Sequence, residues 1–105
     1  MRVISLAKLR SFWQQPAHEN SETSLKTWHD VARTAEWVSH DDVKRDFGAR
    51  VDLAYGLHVF DIHGNDYRLL CRIDFRRHGV LTLWIGTHQE YDRLCRNGGR
   101  GLKAL

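Results

Sequence analysis

The first half of the chain carries apolar residues at spacings of three and four positions, which is the pattern of amphipathic helices. After a short strand at residues 2–4, a first helix is predicted to begin at the potential cap Ser5 and to end near Gln14, because Pro16 follows. A second helix is predicted from about residue 20 to residue 37. Its apolar stripe consists of Leu25, Trp28, Ala32 and Ala35.

A third, shorter helix is predicted directly after this helical pair. Ser39 and Asp42 are three positions apart, as in a capping box, and Val43 and Phe47 share one face. Gly48 then suits the left-handed conformation with which many helices end. The helical part of the chain therefore ends before residue 50.

From residue 50 onward the pattern changes to alternation. Three segments rich in β-branched and aromatic residues are separated by turn residues: 57–63, 66–75 and 79–87. They predict an antiparallel meander of three strands. The Gly64-Asn65 pair suits a two-residue loop between the first two strands.

The register of that hairpin divides the predicted sheet into two faces. The loop places Asp61 opposite Arg68, and alternation then determines the side of every strand residue. The predicted core face holds His58, Phe60, Ile62, Tyr67, Leu69, Cys71, Ile73 and Phe75. The predicted polar face holds Asp61, His63, Arg68, Arg72, Asp74 and Arg76. The length of the second loop decides the faces of the third strand. A four-residue loop places Val80, Thr82 and Trp84 in the core, whereas a three-residue loop places them on the polar face.

A last helix is predicted from Thr87 to about Arg96, and the Gly-rich residues 97–105 are predicted to be a flexible tail. Residues 1–96 form one domain of the α+β class, with a small, mostly antiparallel sheet, the helical pair on one face and a C-terminal helix. Because helices separate the first strand from the meander, that strand should return as a crossover beside the last strand.

The composition fits a single folded domain with a mildly basic surface. The chain has 105 residues, of which 42% are hydrophobic, and a net charge of +3, which favours a polyanionic partner such as nucleic acid. No segment approaches the roughly 20 apolar residues of a membrane span, and the first residues lack a signal-peptide pattern. We therefore expect a cytoplasmic protein without a membrane partner.

The seven histidines do not form a recognisable metal motif. His58 and His63 are an odd number of positions apart on one predicted strand, so they point to opposite faces. The chain also lacks paired cysteines, an HExxH motif and a Gly-rich phosphate loop followed by a helix. We expect neither a metal nor another cofactor.

Two arginines of the meander are candidate phosphate ligands. Arg68 and Arg72 lie four residues apart on one strand, hence on one side and about 13 Å apart by the usual strand rise. Phosphates of a nucleic acid strand can bridge them. The alternative is that Arg68 pairs with Asp61 across the hairpin and that Arg72 is an ordinary solvated charge.

The start of the last helix is the second candidate site. Thr87 and Glu90 have the spacing of a capping box, which leaves His88 and Tyr91 as neighbours on one helical face. A helix start attracts phosphate and disfavours an imidazolium, so His88 could act as a base there. The alternative is that Tyr91 anchors the helix to the sheet and that His88 lies at the rim.

Several motifs occur in order along residues 1–93: MRVIS.AKLR.FW at the start, AEW at 35–37, DVKRDF at 42–47, VF.I.GN.YRLL.RIDF at 59–75 and IGTHQEYD at 85–92. Together they resemble the HigB family of toxins of bacterial type II toxin–antitoxin systems, within the RelE-like superfamily. The resemblance implies a RelE-like fold and an mRNA interferase, an endoribonuclease that acts without metal, usually on ribosome-bound mRNA. It also implies a HigA-type helix-turn-helix antitoxin as partner.

In such enzymes the 2′-hydroxyl beside the scissile phosphate is deprotonated and attacks, basic side chains stabilise the phosphorane, and an acid protonates the leaving oxygen. Matched onto this sequence, the resemblance implies the catalytic candidates Arg68, Arg72, His88 and Tyr91. The RNA-binding candidates are Lys44, Arg68, Arg72 and Arg76.

Two positions depart from the pattern of the relatives. Leu83 stands where a basic residue is common, and Asp61 stands where asparagine is common. These departures leave a second function open, a non-catalytic module of the same fold that binds RNA, the ribosome or a protein. A third possibility is a protein-interaction domain that uses the tail at 97–105.

Overall fold

The computed structural model describes residues 1–105 and contains a single five-stranded sheet. Its strands are β1 (Arg2–Ile4), β2 (Val51–Ala54), β3 (Leu57–Ile62), β4 (Tyr67–Asp74) and β5 (Gly79–Thr87). They lie in the order β1-β5-β4-β3-β2. All neighbours pair antiparallel except β1 and β5, which are parallel, so the first strand does return beside the last. The sequence pattern missed the short edge strand β2.

Five helices accompany the sheet: α1 (Leu6–Trp13), α2 (Glu22–Thr34), α3 (His40–Phe47), α4 (His88–Leu94) and α5 (Arg96–Lys103). α2 ends earlier than predicted, because the backbone becomes extended at Ala35. Ser5 and Ser39 precede α1 and α3, but neither side chain makes a capping hydrogen bond. None of the five helices combines the length and apolar character needed to cross a membrane.

The main core lies between the first three helices and one face of the sheet. Helix residues such as Leu9, Trp28 and Phe47 pack there against Phe60 and other sheet residues. The predicted core face is confirmed, since its residues from His58 to Cys71 are buried and Ile73 and Phe75 are partly buried. The architecture is thus α+β, as predicted, with a mixed sheet.

The opposite face of the sheet is only partly polar, which corrects the prediction. Leu57, Val59 and Leu70 point to this face and pack against Leu102 of α5, which is 2% exposed, in a second, smaller core. Residues 97–105, predicted to be a tail without regular structure, therefore include a helix that covers part of the sheet. Three consecutive residues within the α5 range, Asn97 to Gly99, have left-handed backbone angles and form a kink.

A β-bulge in β5 changes which of its residues face the main core. Leu70 pairs with Trp84 but Cys71 pairs with Thr82, so Leu83 is the extra residue. Thr82 is buried, as predicted, whereas Trp84 packs against the second core instead of the main one. The prediction for Trp84 was wrong because an inserted residue reverses the alternation of the strand.

Candidate active site

Arg68 of β4 and two residues of α4, His88 and Tyr91, lie at the same end of the sheet. Arg68 pairs with Gly86 near the end of β5, directly before α4 begins. The guanidinium carbon of Arg68 lies 5.9 Å from the centroid of the Tyr91 ring, which is a cation–π distance. Tyr91 of α4 is therefore in contact with Arg68 of β4, a residue far from it in the sequence.

The start of α4 is held by the predicted capping box. The Glu90 amide donates to Thr87 Oγ1 at 3.1 Å, and the Thr87 amide donates to Glu90 Oε1 at 2.8 Å. The hydrogen bond from the Thr87 backbone lowers the pKa of the Glu90 carboxyl, so this residue carries its charge at the helix start. The capping box sets the direction of α4 and with it the positions of His88 and Tyr91.

Arg68 is fixed in place by four oxygen atoms. Its side chain is almost buried, and Nε lies 3.2 Å from Asp61 Oδ1 across the hairpin. Nη2 donates to Asn65 Oδ1 at 2.6 Å, and Nη1 donates to the carbonyls of Asn65 and Tyr67 at 3.3 and 3.2 Å. A guanidinium has five N–H groups, so a bound phosphate would share the cation with these acceptors.

Asp61 partly cancels the charge of Arg68. The two residues are direct partners in the ladder between β3 and β4, as the predicted register requires. Burial raises the pKa of the Asp61 carboxyl, and the nearby Arg68 charge opposes that rise. The possibility that Arg68 pairs with Asp61, which the sequence left open, is the arrangement found.

His88 has one nitrogen near a carboxylate and one without a protein partner. Nε2 lies 3.4 Å from Asp92 Oδ2, whereas Nδ1 is buried and makes no hydrogen bond. Asp92 was not singled out from the sequence, although its position four residues after His88 on a helix is the expected signal for such a contact. The contact with Asp92 orients the imidazole, and Nδ1 is left without a hydrogen-bond partner in the protein.

Tyr91 is a protonated phenol at neutral pH. Burial, and secondarily a hydrogen bond between its hydroxyl and the Cys95 thiol, raise the pKa of Tyr91 well above its ordinary value. The residue can therefore donate a hydrogen bond or present its ring, but it does not act as an anion.

The other predicted site residues lie outside this group. Arg72 is exposed further along β4, and its Nη2 donates to the Leu105 carbonyl at 3.2 Å. Arg76 lies in the turn after β4, at the far end of that strand from Arg68, and Lys44 is exposed on α3, which packs on the main-core face. The structure thus brings together three of the six predicted residues.

Leu83 packs beside the second core, on the face that also carries Arg68. The ammonium group of Lys8 lies at the backbone of this position, because Nζ donates to the Leu83 carbonyl at 2.9 Å. Sequence reasoning missed Lys8, since α1 is far from β5 along the chain. No three His, Cys, Asp or Glu side chains are grouped so that they could hold a metal ion.

Comparison with known families agrees with this architecture. The sequence model of the HigB toxin family, described as the RelE-like toxic component of a toxin-antitoxin system, matches residues 21–94, which include β2 to β5 and α4. A search of curated proteins found no match. The five-stranded mixed sheet with its helices is consistent with a RelE-like fold. The chain therefore belongs to the HigB family, the RelE-like toxic components of toxin-antitoxin systems.

Proposed function

We propose that this toxin is an mRNA interferase, a metal-independent endoribonuclease that cleaves mRNA on the ribosome and so inhibits translation. The observation that supports this best is the grouping of Arg68, His88 and Tyr91 at one end of the sheet. A cation, a base and a neutral proton donor are the three groups that cleavage by a 2′-hydroxyl requires.

In the proposed reaction, His88 takes the proton of the 2′-hydroxyl, and the 2′-oxygen attacks the adjacent phosphorus. Arg68 stabilises the negative charge of the phosphorane. The bond to the 5′-oxygen then breaks, and Tyr91 donates a proton to that oxygen. The products are a 2′,3′-cyclic phosphate and a 5′-hydroxyl, so no water is consumed in this step.

Three further residues are proposed to contact the RNA outside this group. Arg72 lies on the same face of β4 as Arg68 and would hold a neighbouring phosphate. Arg76 and Lys44 are exposed cations further away, and their role as RNA contacts stays a prediction.

Family membership implies an antitoxin partner. We propose that it is of the HigA type, a helix-turn-helix protein. A reading frame for such a protein directly beside this one would support the assignment, whereas an antitoxin of another class that neutralises the toxin would contradict it.

The function is tested with the purified chain on translating ribosomes. The wild type should cut mRNA and leave a 2′,3′-cyclic phosphate, and a 2′-deoxy nucleotide at the cleavage site should block the cut. Because a positioned proton transfer contributes ~10²–10⁴-fold, His88→Ala should lower the rate by at least about 100-fold. Arg68→Ala should cause a similar loss.

Two variants serve as matched controls. The side chain of His63 is as exposed as that of His88 and is also paired with a carboxylate, that of Asp66. Arg33 is an exposed arginine paired with Asp30. His63→Ala and Arg33→Ala should cleave like the wild type. Cleavage at the wild-type rate by Arg68→Ala and His88→Ala would contradict the assignment of the site. Intact mRNA after incubation with the wild type would contradict the proposed function.

A second candidate function is a non-catalytic module that binds RNA or the ribosome. The observation in its favour is the pairing of Asp61 with Arg68, which reduces the charge available to a phosphorane. Salt-dependent binding to ribosomes with intact mRNA would identify this function.

A further inference from the structure

Beyond Arg72, the sheet face that carries Arg68 continues into a groove that the candidate active site does not use. The groove has a volume of about 360 Å³. Its lining residues are Arg2, Ile4, Arg72, Asp74, Arg77, Gly79 and Leu81. Arg2 and Arg77 belong neither to the two cores nor to the candidate active site.

The register of three adjacent strands builds this groove. Ile4 pairs with Leu81, and Leu81 pairs with Arg72, which places these side chains in one row across β1, β5 and β4. In the next row Gly79 stands between Arg2 and Asp74. Because Gly79 has no side chain, the space between these two charged residues stays open.

The groove has an excess of positive charge. It contains three arginines and one aspartate, and the only ion pair between them joins Arg77 Nε to Asp74 Oδ2 at 3.9 Å. The Arg2 side chain makes no hydrogen bond or ion pair, and the Arg72 side chain makes one hydrogen bond, to the Leu105 carbonyl. These guanidinium groups are therefore free to bind an anion with several charges.

The floor between the arginines is apolar. Ile4 is 45% exposed, although it is a large hydrophobic residue, and Leu81 beside it is partly exposed. Cations around a flat apolar surface fit a nucleotide, whose phosphate binds the guanidinium groups while its ribose or base covers the side chains below.

We propose that this groove binds the RNA strand at nucleotides next to the cleaved bond, with Arg2 and Arg77 as phosphate ligands and Ile4 and Leu81 as the surface beneath a nucleotide. The inference rests on the proposed function for its choice of RNA. Arg72 supports that choice, because it borders the groove and lies on the same face of β4 as Arg68, about 13 Å away. Leu70 between the two arginines is buried under Leu102, so an RNA strand that contacts both would cross the outer surface of α5. A ligand that contacts both arginines favours RNA, the substrate of the proposed function, over an acidic peptide.

The test measures binding rather than cleavage. Fluorescence anisotropy would follow the purified full chain with RNA oligonucleotides of about 4 and about 12 nucleotides, carrying 2′-deoxy groups that prevent cleavage. The Arg2→Ala/Arg77→Ala variant should bind the long oligonucleotide about tenfold more weakly and the short one unchanged. The slope of log affinity against log salt should fall by about 1.4, since each lost phosphate contact removes ~0.7 for a single strand.

Arg45→Ala is the matched control, since Arg45 is an exposed arginine on α3, on the other side of the sheet. Unchanged binding of the long oligonucleotide by the double variant would contradict RNA binding in the groove and leave the proposed function intact. Intact mRNA with the wild type, together with the expected loss of binding, would overturn the proposed function and leave the groove. A double variant that loses antitoxin binding but not RNA binding would overturn the RNA assignment in favour of a protein surface.

Discussion

The Asp61 carboxylate lies 3.2 Å from Nε of Arg68, so the proposed phosphate ligand already has an anionic partner. The arginine side chain is 10% exposed and the aspartate 26%. The acid therefore competes with any phosphate that approaches Arg68, in a site only partly shielded from solvent.

Replacing this acid by its neutral amide should strengthen the site. Asp61→Asn keeps an oxygen acceptor for Arg68 and removes the charge, so RNA affinity should rise about two- to fivefold, as expected for a partly exposed pair worth ~0.5–1 kcal/mol. Anisotropy with a 2′-deoxy oligonucleotide measures it. Asp52→Asn, at an exposed position of β2, is the control. Lower affinity for Asp61→Asn than for this control would show that the aspartate only orients the arginine.

The hydroxyl of Tyr91 can be separated from its ring. Tyr91→Phe keeps a ring below Arg68 and removes the proposed proton donor, so kcat should fall about 10- to 100-fold while KM changes little. Tyr55→Phe, which loses a hydroxyl bonded to the Gly98 carbonyl, is the control. Full activity of Tyr91→Phe would restrict Tyr91 to packing or base stacking.

Two neighbouring glycines test how α5 is attached. A Cβ on Gly99 would lie 2.2 Å from the Tyr55 ring, and its φ is +78°, whereas Gly98 has a φ of +71° and no atom within 4 Å of such a Cβ. Gly98→Ala should cost about 1 kcal/mol of unfolding free energy from backbone strain, and Gly99→Ala about 2–3 kcal/mol. Urea unfolding measures both. Equal losses would mean that the Tyr55 ring moves aside freely.

The stability of the fold should depend on pH through His58. Burial, and then the nearby His40, lower the pKa of His58 to about 4 in the folded protein. The folded state thus favours the neutral ring. The contribution of His58 to the free energy of unfolding is therefore complete above the unfolded pKa of 6.5 and is lost as the pH falls towards 4.

Between pH 6.5 and pH 4 the wild type should therefore lose about 3 kcal/mol more unfolding free energy than His58→Phe, in which this titration is absent. Urea unfolding at several pH values measures the difference. His78→Ala removes an exposed histidine and should behave like the wild type. If the unfolding free energies of the wild type and His58→Phe changed equally with pH, His58 would not be the cause of the pH dependence.

Much of the sheet could be predicted because its signals are local. The Gly64-Asn65 turn and the alternation on either side of it determine the pairing of Asp61 with Arg68, which the structure confirms. The helix α5 could not be predicted, because Leu102 is one apolar residue in a Gly-rich segment and is buried only by side chains from distant strands.

The candidate site divides in the same way. The closeness of His88 and Tyr91 follows from helical spacing. The position of Arg68 over the Tyr91 ring depends on how α4 packs against the sheet, which no local pattern contains. Asn65 was predicted for its role in the turn, and its side-chain contact with Arg68 adds a role that the turn pattern does not reveal.

The extra residue Leu83 shifts by one position the alternation of the β5 side chains between the two faces of the sheet. Up to Thr82 the even-numbered residues of β5 face the main core, and from Ile85 the odd-numbered ones do. A scan of charged substitutions along β5 should therefore show its sensitive positions change parity at residue 83. Deleting Leu83 would remove the bulge but leave Trp84 opposite Leu70 and Ile85 opposite Leu69, so the end of β5 and the start of α4 would keep their present faces.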